Sequence, residues 1–194
     1  MRTFAILLVA AFAGCGETVR PGITETREVS ADDPGLEQKG PLLFHEKELL
    51  TGKVTLRSAK GDLLSTTAYV AGKKEGPSAT FHPDGSRETT RTYRDNRKTG
   101  VHEAWWPGGG KKFVAHHRDG VYEGSVKEWF ENGNPYRSFL YRDGHEDGPQ
   151  KMWNPDGTLR ANYVARNGRR YGWISSMPCS SPLKETLVKM ESSK

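Results

Sequence analysis

Glycine recurs at one fixed step through most of this chain. Gly52, Gly76, Gly100, Gly124, Gly148 and Gly172 stand 24 residues apart without a gap, enclosing five complete units. Five residues past each opening glycine stand Arg57, Phe81, Trp105, Trp129 and Trp153. Nine past it stand Gly61, Gly85, Gly109, Gly133 and Gly157, and twenty past it Gly72, Asn96, Gly120, Gly144 and Gly168. A period kept in phase over five copies restricts the chain to a repeat array, in which each unit is stabilised by its neighbours.

Each unit reads as a β-hairpin. "PDG" (83–85, 155–157), "PGG" (107–109) and "ENG" (131–133) are three-residue loops. They combine a type I turn with a glycine that accepts positive φ. Asn96, the exception in its column, is the non-glycine residue best able to take a left-handed conformation. The unit is then strand, tight turn, strand, looser turn, and the closing glycines Gly76, Gly100, Gly124, Gly148 and Gly172 are read as structural turn positions too. A loop at 131–133 pairs Phe130 with Asn134 and sets Trp129, Phe139 and Tyr141 on one face. The same rule groups Trp105 with Phe113 and Ala115, and Trp153 with Leu159, Ala161 and Tyr163. The expected fold is all-β: an elongated single-layer antiparallel sheet of five 24-residue hairpins, occupying 41–176 with full units over 52–171.

Composition agrees with thin layers and many turns. The apolar fraction is 34%, with 22 Gly and 11 Pro, which does not suit a thick core. Lys and Arg outnumber Asp and Glu by 29 to 24 and are spread along the chain, so no nucleic-acid footprint stands out.

The two ends are different material. "MRTFAILLVAAFAGC" has one Arg, a short apolar run and small residues before Cys15. The run is too short to span a bilayer and fits a secretory signal over 1–14. "F-A-G-C" resembles the lipobox of bacterial lipoproteins, which implies lipidation, palmitate included, at Cys15. That predicts an exported chain anchored in the bacterial cell envelope, at the outer membrane if the source is Gram-negative. Residues 15–40 read as a flexible tether, and "PLLFHEKELLTG" (41–52) as half a unit supplying the first edge strand. At the far end Leu183, Leu187 and Met190 recur at helical spacing behind Ser181 and Pro182. They predict a short capping helix within 177–194.

The phrase Y-x-x-G-x-x-x-G, followed by an aromatic and an x-D/N-G turn, resembles the MORN-repeat variant, including the bacterial group labelled YwqK-family antitoxins. Arg57, His117, Ala165 and Asn96 depart from the pattern. The resemblance implies a sheet that binds proteins or membranes and performs no chemistry. Its antitoxin label implies pairing with a toxin, which an exported chain would not meet in the cytoplasm.

Chemistry-bearing constellations are absent from the sequence pattern. No paired carboxylates, nucleophile elbow or phosphate loop is present, so no enzyme and no cofactor are expected. His102 and His116 are expected on one face and His117 on the other, a poor zinc set. Asp84, Asp143 and Asp156 read as turn residues whose carboxylates accept backbone N–H groups. Cys179 lacks a base beside it and reads as a small buried or tail residue. The candidate contacts are aromatic: Trp106 and Phe130 first, then Trp105, Trp129, Trp153 and Tyr141. The expected function is a lipid-anchored, protein-binding repeat scaffold. The rivals are an antitoxin or immunity role and direct membrane or cell-wall binding.

Overall fold

A computed structural model describes residues 27–174. Four short strands come first: β1 (Glu28–Ser30), β2 (Leu36–Lys39), β3 (Leu42–His45) and β4 (Glu48–Leu49). The repeat hairpins follow as β5 (Gly52–Arg57), β6 (Leu63–Val70), β7 (Lys73–Phe81), β8 (Arg87–Arg94), β9 (Arg97–Trp105) and β10 (Lys111–Arg118). They continue as β11 (Val121–Trp129), β12 (Pro135–Arg142), β13 (His145–Trp153), β14 (Leu159–Arg166) and β15 (Arg169–Ile174). Strands β5 to β15 lie side by side in chain order, each antiparallel to the next, and β1 adds a parallel strand beside β5. The result is an open 12-stranded sheet of sequential hairpins, and no helix occurs among the described residues. The capping helix expected in 177–194 lies outside them, as do Cys15 and Cys179.

Two kinds of turn alternate along the sheet. At the three-residue loops the last position is glycine with left-handed φ, as at Gly133 (85°). The Phe130 N–H donates to the Asn134 carbonyl at 2.9 Å, and the Gly133 N–H to the Phe130 carbonyl at 3.0 Å. The connection expected to be looser is the tighter one. Arg94 pairs with Arg97 and Arg142 with His145, leaving two-residue loops at Asp95-Asn96 and Asp143-Gly144. Both loop residues have positive φ, 48° and 64° at Asp95 and Asn96, the conformation that matches the twist of a hairpin. Each such loop is fastened to the preceding unit: the Gly144 N–H donates to the Tyr122 carbonyl, and the Asp143 N–H to the Glu123 carboxylate.

Bulges change which residues share a face. Glu128 pairs with Arg137 but Trp129 pairs with Pro135, so Tyr136 is an extra residue in β12. Lys112 and Arg160 are extra in the same way. The single-residue shift turns the predicted grouping over. Trp129 lies opposite to Phe139 and Tyr141, Trp105 opposite to Phe113 and Ala115, and Trp153 and Leu159 opposite to Ala161 and Tyr163.

A second set of bulges holds the closing glycines. Gly76, Gly100, Gly124 and Gly148 sit inside strands β7, β9, β11 and β13, not in turns. Between the Phe139–Gln150 and Tyr141–Glu146 pairs, three residues of β13 face Leu140 alone. Gly148 (φ 91°) is in the middle of the three. On the other side of its strand three of the four face an aromatic, Gly76 opposite Tyr93, Gly100 opposite His117 and Gly124 opposite Tyr141, while Gly148 faces Ala165. A glycine there supplies the left-handed φ of the bulge and leaves room for a ring.

The start of the sheet has a second layer. Strands β2, β3 and β4 form a separate small sheet. Leu43 and Leu50 pack with Val29, Val54 and Tyr69 of the large one. The Leu43 N–H donates to the Gly72 carbonyl at 2.8 Å, and the Asn96 amide to the Pro41 carbonyl at 2.8 Å. Two expectations change here. Residues 28–30 and 36–39, read as tether, are strands. Residues 42–49 form this cap, while the edge strand of the large sheet is β1. Glu46 and Lys47 are the two left-handed residues of the β3–β4 turn.

Candidate binding faces

The core face carries the buried residues. Ala115, Val126 and Phe139 form one cluster, edged by Phe113, Tyr122, Tyr141 and Met152; Ala161, Tyr163 and Ala165 form the next. Rings follow one another along this face. Ring centres are 4.3 Å apart for His102 and His117, 4.8 Å for His117 and Tyr122, and 5.1 Å for Tyr122 and Tyr141. Tyr141, a candidate contact, belongs to this packing. Tyr163 donates to Glu146, and burial first, then that carboxylate, pushes its phenol up to about 12.

The histidines are placed differently from the sequence reading. Ala115 pairs with His102 and His117 with Gly100, so His102 and His117 share the core face and His116 is exposed on the other. Burial, then the neighbouring His102, Lys98 and His116 charges, depresses His117 to about 4. Burial also lowers His102. Among the described residues no group of three or more His, Cys, Asp or Glu could hold a metal ion.

Two buried polar side chains meet the backbone at the large bulges: Gln150, not singled out in the sequence, and His102, weighed there only as a metal ligand. Gln150 is fully buried; its amide donates to the Leu140 carbonyl at 2.8 Å and its oxygen accepts the Leu140 N–H at 3.2 Å. These are the backbone groups facing the bulge. His102, 48 residues earlier, has Nε2 3.0 Å from the Thr92 carbonyl and 3.3 Å from the Thr92 N–H, and its tautomer decides which of the two it bonds. A buried backbone group without a partner is costly, so the bulge is tolerated where a side chain replaces the missing strand. The signal was the column Val54, Ser78, His102, Val126, Gln150, polar at three of five positions.

The opposite, open face carries Trp105, Trp129 and Trp153, all half-buried. They are not members of the buried clusters, so they are not the thin core of the sheet. Val101, Leu140, Leu159, Val164 and Tyr171 are exposed large apolar residues of the same face. Lys111 lies over the Trp105 ring at 4.6 Å. Lys127 pairs with Ser138, Ser138 with Lys151 and Lys151 with Asn162, forming a straight polar row across β11 to β14. Both lysines are exposed, and each lies two residues before a tryptophan.

Trp106 and Phe130 serve the turns. The Trp106 indole N–H donates to the Trp129 carbonyl at 3.1 Å, joining consecutive units, and Lys112 lies over its ring. Phe130 packs on Tyr136 at 5.1 Å. The Asp84 and Asp156 carboxylates accept the Ser86 and Thr158 hydroxyls and N–H groups, which hold both acids below the usual carboxylate range. Asp143 instead accepts from Arg118.

The chain matches no protein-family model, and a search of curated proteins gives no significant relative.

Proposed function

We propose that this chain is a non-catalytic, lipid-anchored binding scaffold of a bacterial cell envelope, of the MORN-repeat variant type, that holds a protein along its sheet. The observation that carries this reading is the open face. A row of half-buried tryptophans and exposed aliphatic side chains continues over successive units, while a different set of residues forms the core. Aromatic and aliphatic groups ringed by lysine and arginine suit an interface more than a solvated surface.

Photo-crosslinking in producing cells tests it. A photoreactive residue at Leu140 or Val164 should yield one discrete protein adduct, and one at Lys98, exposed on the core face, should not. Equal adducts at all three positions, or none at any, overturn the reading. Fatty-acid labelling that disappears in Cys15→Ala tests the anchor.

A second reading, attachment to a wall polymer, draws on one further observation: the same lysine–tryptophan pair recurs in consecutive units at Lys127/Trp129 and Lys151/Trp153.

A further inference from the structure

The open face has a repeat distance. Lys127 and Lys151 lie on β11 and β13, joined through Ser138 on β12 by direct cross-strand pairs. Two strand spacings put them about 9.5 Å apart along the sheet. Trp105, Trp129 and Trp153 repeat at the same step, one to a unit and two residues further along their strands. A ligand that uses all of these groups must itself be periodic at that distance.

An extended β-strand peptide is not, because a residue advance of about 3.4 Å does not divide the step evenly. A β-1,4-linked polysaccharide is. Its successive sugars are turned over, so one ring face, and any carboxylate, returns to the same side once per disaccharide. The disaccharide length is close to two strand spacings. Polyproline II also returns at about 9.3 Å. Pro135 and Leu159, which pair with Trp129 and Trp153, would suit it, but polyproline offers no charge to the exposed Lys127 and Lys151 of the neighbouring row.

We propose that the open face binds an acidic β-1,4-linked polysaccharide laid across the strands. Sugar rings stack on Trp105, Trp129 and Trp153, and the carboxylates of alternate sugars meet Lys127 and Lys151. Ser138 and Asn162 face the hydroxyls between. The assignment rests on the second reading, attachment to a wall polymer, and names the class of polymer. Stacking fixes position and spacing, and the lysines select a charged chain over a neutral one.

The test uses the full chain and sodium poly-β-1,4-mannuronate, followed by retardation in native gels and by tryptophan fluorescence. The native protein should bind it. Lys127→Gln/Lys151→Gln, which changes only exposed side chains, should weaken binding about tenfold, and Trp129→Ala/Trp153→Ala at least as much. Trp129→Phe/Trp153→Phe should keep most of the affinity, which separates lost stacking from lost fold. Poly-L-glutamate, which has charge without rings, and poly-L-proline should each bind about tenfold less well than the mannuronate. Equal binding of poly-L-glutamate, tighter binding of poly-L-proline, or no loss in the lysine variant overturns the proposal. If mannuronate fails while the Leu140 crosslink still captures a discrete protein, only the polysaccharide is lost. If both fail, the scaffold reading goes too.

Discussion

The imidazoles of His102 and His117, on neighbouring strands, lie 4.3 Å apart centre to centre and are both buried in the core face. Tyr93 and Tyr122 flank the pair, with Lys98, Arg91 and His116 the nearby positive charges. A second proton cannot be placed there without repulsion and desolvation.

Acid should therefore loosen the middle of the sheet. The unfolded chain protonates His117 near its ordinary value of 6.5, whereas the folded chain resists until about 4. Because the unfolded state holds more protons in that window, stability is full above about 6.5 and falls as pH drops toward 4. Below that it levels off. Urea midpoints measured across this range should follow that slope, and His117→Gln should flatten it.

Gln150→Leu should cost on the order of 2 kcal/mol, since the Leu140 N–H and carbonyl lose their partner in a buried position. Urea unfolding measures this. Val126, at the matching site one unit earlier, makes no such bonds, and Val126→Leu, which adds a methylene at a fully buried site, should cost about 1–3 kcal/mol through overpacking instead.

Gly72→Ala should be worse than Gly85→Ala. Both positions have left-handed φ, 76° and 81°, which a Cβ strains by about 1–2 kcal/mol. A Cβ at Gly85 meets nothing within 4 Å, while at Gly72 it comes 2.8 Å from the Leu43 carbonyl oxygen. The substitution at Gly72 forces the small sheet off the large one. Hydrogen exchange should show early loss of protection at Leu43 in Gly72→Ala and not in Gly85→Ala.

Trp106→Phe should lower stability by about 1 kcal/mol through loss of the indole bond to the Trp129 carbonyl. A Trp106 that served only as an external contact would give a smaller change in the thermal midpoint.

The local chemistry of this fold was legible in the sequence, and its long-range register was not. The three-residue loop at 131–133 and the left-handed Asn96 follow from residue type alone, and both stand in the structure. The side of the sheet taken by Trp129 did not follow. It depends on one extra residue, Tyr136, whose presence in a bulge is decided by pairing across the strand. The same applies to His117, placed with His102 rather than opposite it. The aromatics offered as contacts were thus sorted to the wrong sides of the sheet. Gln150 escaped notice because its role exists only when the bulge at Gly148 is known.

The pairing of Gly76, Gly100 and Gly124 with an aromatic of the next strand recurs at the 24-residue step and makes the sheet modular. Removing 24 consecutive residues from its middle leaves the spacing of turns and bulges along the strands as it was. Length can therefore change in steps of two strands with little penalty. Loss of one residue inside a unit would turn over every side chain from there to the next bulge. An array built this way is a ruler whose divisions can be added or removed, and whose markings hold only while the count is kept.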